Sequence, residues 1–422
     1  MGAPALGISA RSPDVARPMP AIRFEALDSW RGLAAIMVVL FHAQIVSNIR
    51  LVGLVRSGDA FVDLFFVLSG FVIAHAYLDR LSTPRDMGRF FLLRLGRLYP
   101  LHMFMLALFL LFEMAKTFVP GLVNASDPSF SGTNDLSYLV SNALLLQAFW
   151  PADTLSWNTP SWSISAEYLA YVLFAIAVLT QRKRIVLWLV LGMIAAPFVL
   201  WQASAQGMAS APGTGFLRAI YGFSIGALLY AVSFRSILLQ HASSGSRAGS
   251  LRWTAIELSV TALAVVVAWK THATPLSYAL PLVFALLVWV FARERGLVSR
   301  LLRLRPLILV GTLSYSIYMI HMFIQLRLLN MARLLDVVAG LSLVRQVGRT
   351  DRYGDGIDLG NLFAGDLLIV AMVSVTIAAS YVTYRLIEQP GQRAFRRLAD
   401  RLFGPVGRQR DAEERPLRPA LT

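Results

Sequence analysis

Apolar residues dominate this chain in long runs, and polar residues gather between them. A hydrocarbon core of about 30 Å takes about 20 helical residues to cross, and runs of that length recur from one end of the sequence to the other. The pattern predicts about ten spans, at 30–47, 60–79, 98–120, 161–180, 184–203, 215–234, 253–269, 275–292, 307–326 and 364–384. Two segments break the scheme. Residues 136–150 are apolar but short and interrupted by Ser and Asn. Counting them as a span would invert every later loop, so they read as a re-entrant or surface-lying helix. The stretch 327–363 has mixed charge and a Gly and Asp cluster, and reads either as a disordered loop or as a lid that contacts a substrate.

Composition supports a membrane protein. Of the residues 56% are hydrophobic, only 15% are charged, and mean hydropathy is +0.60. Charged residues make up roughly 25% of ordinary soluble domains. The net charge of +15 would suggest nucleic acid, but its placement is topological. Connections 80–97, 181–183, 235–252 and 293–306 are rich in Lys and Arg, whereas 121–160 and 204–214 have neither. The basic side is therefore expected to be cytoplasmic, with both termini there, and nucleic-acid binding is not expected. Residues 1–22 read as a disordered cytoplasmic tail with no cleaved leader, 23–390 as the transmembrane domain, and 391–422 as a basic cytoplasmic tail. Cysteine is absent, which excludes disulfides and thiolate metal sites, and no metal is expected.

The chemistry is expected inside the spans, where an ionisable side chain is costly and usually faces the bundle interior. At 1.5 Å per residue, His42 falls about 18 Å from the start of the first span. Glu167 and His321 each fall about 21 Å from the inner surface by the same count. A histidine beside a carboxylate suits general base catalysis, with His42 taking a proton and Glu167 orienting the ring. The bland alternatives are a core histidine satisfied by a backbone carbonyl and a carboxylate paired with an intramembrane arginine. Arg31, Arg94 and Arg97 fall at the cytoplasmic mouths of spans one and three, the last two on one helix face. Arginine forks bind phosphate bidentately, although snorkelling to headgroups explains most arginines so placed. A ligand with a phosphorylated head and a long thin arm would reach from these arginines to His42.

The ordered series "LDSWRGLAAIMVVLFHA", "VDLFFVLSGFVIAHAY", "FLLRLGRLYPLH", "WSISAEYLAYVLF" and "LSYSIYMIHMF" resembles the membrane-bound acyltransferase family 3. Arg31 and His42 match its Arg, ten residues, His pattern. Arg94 and Arg97 match its Arg-x-x-Arg pattern, and Glu167 its membrane glutamate. The resemblance implies an all-α bundle of about ten transmembrane helices in the bacterial inner membrane. It implies transfer of an acyl group, commonly acetyl, from cytoplasmic acyl-CoA to a hydroxyl of an extracytoplasmic saccharide or glycolipid. By that resemblance His42 and Glu167 are catalytic, and Arg31, Arg94 and Arg97 bind the donor. An acyl intermediate on Ser69 is less favoured than a packing or hydrogen-bonding serine, and Gly70 is expected to permit close helix approach. A proton-coupled transporter of an anionic solute, and O-acylation of a small molecule or lipid, are the rival readings. Assembly into a homo-oligomer is left open.

Overall fold

The computed structural model describes residues 23–404 apart from 119–127, 151–153, 204–206, 210–212, 235–247, 272 and 349–352. The tail 1–22 lies outside the described residues. Numbered in chain order, the principal helices are α1 (Glu25–His42), α2 (Phe61–Tyr77), α3 (Pro84–Phe118), α4 (Trp162–Gln181), α5 (Ile185–Ala203), α6 (Gly215–Leu229), α7 (Ala248–Thr271), α8 (Leu280–Phe291), α9 (Arg305–Ala339), α10 (Leu362–Thr383) and α11 (Gln389–Phe403). This is an all-α integral membrane protein. Among the described residues seven helical stretches are long and apolar enough to cross a membrane. One of them, Thr159–Ala203, holds both α4 and α5, and the apolar stretch Pro275–Phe291 is shorter.

Four expectations change in detail. The helix expected over 30–47 stops at His42, and residues 43–46 leave it in extended form, so His42 is a helix C-terminus rather than a mid-span residue. Segment 136–150 forms only short turns, Leu136–Tyr138 and Leu139–Ala143, lashed to α3 by Tyr99 OH donating to Ala143 O (3.0 Å) and by His102 Nε2 on Asn142 O (2.7 Å). The stretch 327–363 begins as about three and a half more turns of α9 and continues as an antiparallel hairpin, β1 (Val344–Gly348) on β2 (Tyr353–Ile357). The Asp336 carboxylate starts that hairpin by accepting from Leu343 N (2.7 Å) and Val344 N (2.9 Å). Finally, part of the segment read as a C-terminal tail is α11, joined to α10 through a wider turn at Tyr384–Glu388. Residues beyond 404 are outside the described set.

Glycine sets how closely the core helices approach. A Cβ on Gly70 would stand 2.0 Å from Phe223 O, and one on Gly226 only 1.9 Å from Val67 O, so α2 and α6 cross backbone to backbone. Small residues allow this in membranes, where packing rather than hydrophobic burial drives helix association. The crossing also carries a buried ion pair, with Arg218 Nη2 donating to Asp63 Oδ2 at 3.0 Å. Gly32 and Gly311 bring α1 against α9 in the same way. The start of α1 is tied down by Ala26 N donating to Glu294 Oε1 (2.9 Å), Ser29 Oγ donating to Leu302 O (2.6 Å) and Arg303 bonded to Glu25 (2.9 Å). Burial raises the Glu294 carboxyl above the ordinary range, against the opposing pull of the Ala26 N–H and Arg303. These contacts fix the register of the helix that carries both Arg31 and His42.

Candidate active site

Two cavities lie along α9. The first, of about 120 Å³, is lined by Arg31 from α1, Ser69 from α2, Arg94 and Arg97 from α3, Glu167 and Tyr171 from α4, and Ser314, Tyr315 and Tyr318 from α9. The structure therefore gathers four of the five sequence-predicted residues, drawn from three helices, at one place. Helices α1 and α3 each pack against α9, and α4 packs against α3, which brings these residues together.

The three arginines differ in how their charges are met. Arg97 is ion-paired with Glu388, a carboxylate 1% exposed at the turn into α11. Glu388 also accepts from Ser316 Oγ (2.7 Å) and Gln392 Nε2 (3.1 Å), so much of the Arg97 charge is met within the protein. Arg94 Nη2 donates to Tyr77 OH (3.1 Å) and stacks 5.2 Å from that ring, while its buried Nε has no partner among the described residues. Arg31 has no hydrogen-bond or ion-pair partner among the described residues. Arg31 and Arg94 are thus the cations whose donors are best placed to take an anionic ligand. Helix α11 braces this mouth: Phe395 abuts Gly96, Gly391 abuts Pro100, and Arg89 pairs with Asp400 at 2.7 Å.

Glu167 lies on the wall of the same cavity. Its Oε1 accepts from Ser69 Oγ and from Tyr171 OH, each at 2.5 Å. This accounts for Ser69 as a hydrogen-bonding residue that orients a carboxylate. Tyr171, one helical turn from Glu167, completes the cluster.

His42 lines the second cavity, of about 20 Å³, with Gln44, Gln325, Ile357 and a set of apolar side chains. Glu167, expected beside it, lines the first cavity, and the rings of Phe41 and His321 lie against His42. His321 Nε2 lies 3.3 Å from His42 Nδ1, with ring centroids 5.1 Å apart. Both tautomers follow from backbone carbonyls, which can only accept. His321 Nδ1 is 2.7 Å from Tyr318 O, so it carries the proton and leaves the His321 lone pair on Nε2. His42 Nδ1 is 2.9 Å from Val38 O, so it too carries a proton, shared with His321 Nε2. The neutral His42 ring therefore has its lone pair on Nε2. His321 is fully buried. Its depth matched that of His42 in the sequence, and that was the one available signal of a shared site.

Tyr318 links the arginine cavity to the histidine pair. It lines the arginine cavity, its carbonyl holds His321, and its ring stacks 5.7 Å from Phe65 and 5.8 Å from His321. Ser163 Oγ donates to its hydroxyl (2.8 Å), which donates to Pro160 O (2.9 Å). The sequence offered no reason to single out this tyrosine from Tyr315, the other on α9. On the far side of His42, the hairpin closes the second cavity. Val46 N donates to Ile357 O and Ile357 N donates to Gln44 O, both at 2.8 Å, so β2 pairs with the chain just after His42.

Comparison with known proteins gives a consistent result. The profile of the acyltransferase domain family matches residues 24–385. The chain is 31% identical over 214 residues to the acyltransferase MdmB of Streptomyces mycarofaciens, covering 46% of this chain and 51% of that protein. It is 35% identical over 166 residues to protein 2 in the picA locus of Rhizobium radiobacter, which spans 37% of this chain and 83% of that one. It is 27% identical over 365 residues to BcsY of Komagataeibacter xylinus, named as a membrane-bound transacylase, covering 78% and 82% of the two chains. The match thus spans about half the length of MdmB. No solved structure matches.

Proposed function

The chain belongs to the membrane-bound acyltransferase family 3, and from that premise we propose that it moves an acyl group, of which acetyl is the simplest, from acyl-CoA to a hydroxyl of an extracytoplasmic saccharide or glycoconjugate in a bacterial inner membrane. The observation that carries this reading is one cavity lined by three arginines and a second lined by His42, with Tyr318 in the wall of the first and its carbonyl on the His321 that meets His42. The diphosphate end of the donor would sit against Arg31 and Arg94, with Arg97 set by Glu388 beside them. Both termini would be cytoplasmic, which puts the arginines on the side where acyl-CoA is found.

In this mechanism the donor arm passes Tyr318 and presents its thioester carbonyl to the acceptor hydroxyl at His42. His42 Nε2 takes the hydroxyl proton as the oxygen attacks the carbonyl carbon. The tetrahedral intermediate collapses with cleavage of the carbon–sulfur bond, and the imidazolium returns the proton to the departing CoA thiolate. His321 acts as a positioning residue: its Nε2 lone pair holds the His42 Nδ1 proton and steadies the imidazolium. Glu167, fixed by Ser69 and Tyr171, orients the donor arm within the arginine cavity.

The test is acyl-CoA binding and CoA release by the purified protein in lipid nanodiscs. Wild type is expected to bind acetyl-CoA and release CoA, His42→Ala to bind without turnover, and Arg31→Ala/Arg94→Ala to bind weakly. Failure of the wild type to bind any acyl-CoA would reject the proposal.

A further inference from the structure

The small cavity at His42 has walls that are mostly apolar, among them Ile45, Met322, Leu329 and Met372, with three polar exceptions: His42, Gln44 and Gln325. Gln325 is the informative one. It sits four residues beyond His321 on α9, about one turn along the same face. Its Nε2 donates to Val39 O at 2.9 Å. Because that carbonyl can only accept, the bond fixes which end of the amide is which. Its Oε1 is the other end, and it is buried with no partner among the described residues. The side chain as a whole is only 9% exposed. A buried carbonyl oxygen left without a donor is costly, about 1–3 kcal/mol, and such atoms call for an explanation in what the site binds.

Val39 and His42 lie within one turn of α1, so the bond to Val39 places Gln325 against the same stretch of helix that carries the proposed base. The cavity has room for little more than one water-sized group: about 10–15 Å³ suffices for one water, and this one is about 20 Å³. It fits a hydroxyl or hydroxymethyl arm rather than a whole ring. An acceptor whose reacting oxygen is at His42 Nε2 and which carries a second hydroxyl one carbon away would supply the proton that Gln325 Oε1 lacks.

We propose that the His42 cavity is the acceptor-hydroxyl subsite and that Gln325 selects vicinal diols by accepting a hydrogen bond from the hydroxyl adjacent to the one acylated. This rests on the acyl-transfer reading above and narrows its acceptor to alcohols with a neighbouring hydroxyl, as on a saccharide ring. The proton that reaches His42 comes from the reacting hydroxyl alone. The neighbouring hydroxyl keeps its proton throughout.

The experiment uses the full chain in nanodiscs with acetyl-CoA as donor and two surrogate acceptors, trans-cyclohexane-1,2-diol and cyclohexanol, with CoA release and ester product measured for each. Wild type is expected to favour the diol by about tenfold in kcat/KM, the worth of one neutral hydrogen bond. Gln325→Met, close in shape but with no acceptor, is expected to bring that ratio near one. Its affinity for acetyl-CoA should stay within about twofold of wild type, and because the diol-to-cyclohexanol ratio is read within each protein, a general loss of rate from the missing bond to Val39 O cancels. A wild-type ratio near one overturns the assignment, and needs no variant to do so. A ratio that survives in Gln325→Met but collapses in Gln44→Met moves the role to Gln44 and overturns it as well. Diol preference in wild type together with a folded, donor-binding Gln325→Met that has lost it supports the assignment. Lack of CoA release with either alcohol from a wild type that binds acetyl-CoA removes the acyl-transfer reading and this subsite with it.

Discussion

His42 on α1 and His321 on α9 lie 279 residues apart in the chain, yet the Nε2 of one stands 3.3 Å from the Nδ1 of the other. Two backbone carbonyls set their tautomers, Val38 O and Tyr318 O. Glu167 lines the arginine cavity.

The two histidines should therefore separate kinetically. His42→Ala is expected to lower the rate of acyl transfer by about 10²–10⁴, the usual contribution of a positioned general base, with acyl-CoA affinity unchanged. His321→Ala should lower kcat less and leave donor affinity unchanged. His321→Asn, which can still accept from the His42 Nδ1–H, should recover part of the loss. The acidic limb of the pH–rate profile should shift in the His321 variants, because the partner that steadies the His42 imidazolium has changed. Steady-state kinetics across pH checks all of this, and an unshifted profile would assign His321 a packing role only.

The three arginines should not behave alike. Arg94→Ala removes a charge-assisted contact of about 1.5–3 kcal/mol and is expected to weaken acyl-CoA binding about 10- to 100-fold with little effect on melting. Arg97→Ala leaves Glu388 buried without its cation, so it should lower the melting temperature by several degrees. The double variant Arg97→Gln/Glu388→Gln should recover most of that stability. Donor titration alongside thermal melting in detergent distinguishes the two behaviours.

The hairpin should govern the acceptor and not the donor. Replacing residues 344–357 by a short Gly and Ser linker removes both main-chain bonds between Ile357 and the segment after His42. Acetyl-CoA binding is expected within about twofold of wild type, and transfer to an alcohol is expected to fall at least tenfold, since one lost hydrogen bond at the site accounts for nearly that much. Loss of donor binding in this variant would place the hairpin's influence at the arginine cavity instead.

Close crossing of α2 and α6 makes a sharp stability prediction. Gly226→Leu would drive its side chain into the Val67 carbonyl and is expected to cost about 1–3 kcal/mol or more, read as a lower melting temperature or loss of folded protein. Gly340→Ala, on an open turn at the end of α9 with nothing within 4 Å, should have a much smaller effect. It keeps only the strain of its positive φ of 64°.

Hydropathy by itself determined that the chain is a helical membrane protein and where its apolar helices lie, because burial in hydrocarbon imposes a requirement on every residue of a span. The order of short motifs determined the family. The arginines and Glu167 were singled out because a charge at or within an apolar run is costly, and the structure brings all four to one cavity. Sequence placed His42 inside a helix continuing to residue 47, however. Only the tertiary structure decided that α1 ends at His42, that β2 pairs with the chain just beyond it, and that His321 supplies the second ring. Those outcomes depend on helix crossings set by Gly32 and Gly311 and on single hydrogen bonds from Val38 and Tyr318. Such contacts join residues hundreds of positions apart and leave no periodic trace in the sequence.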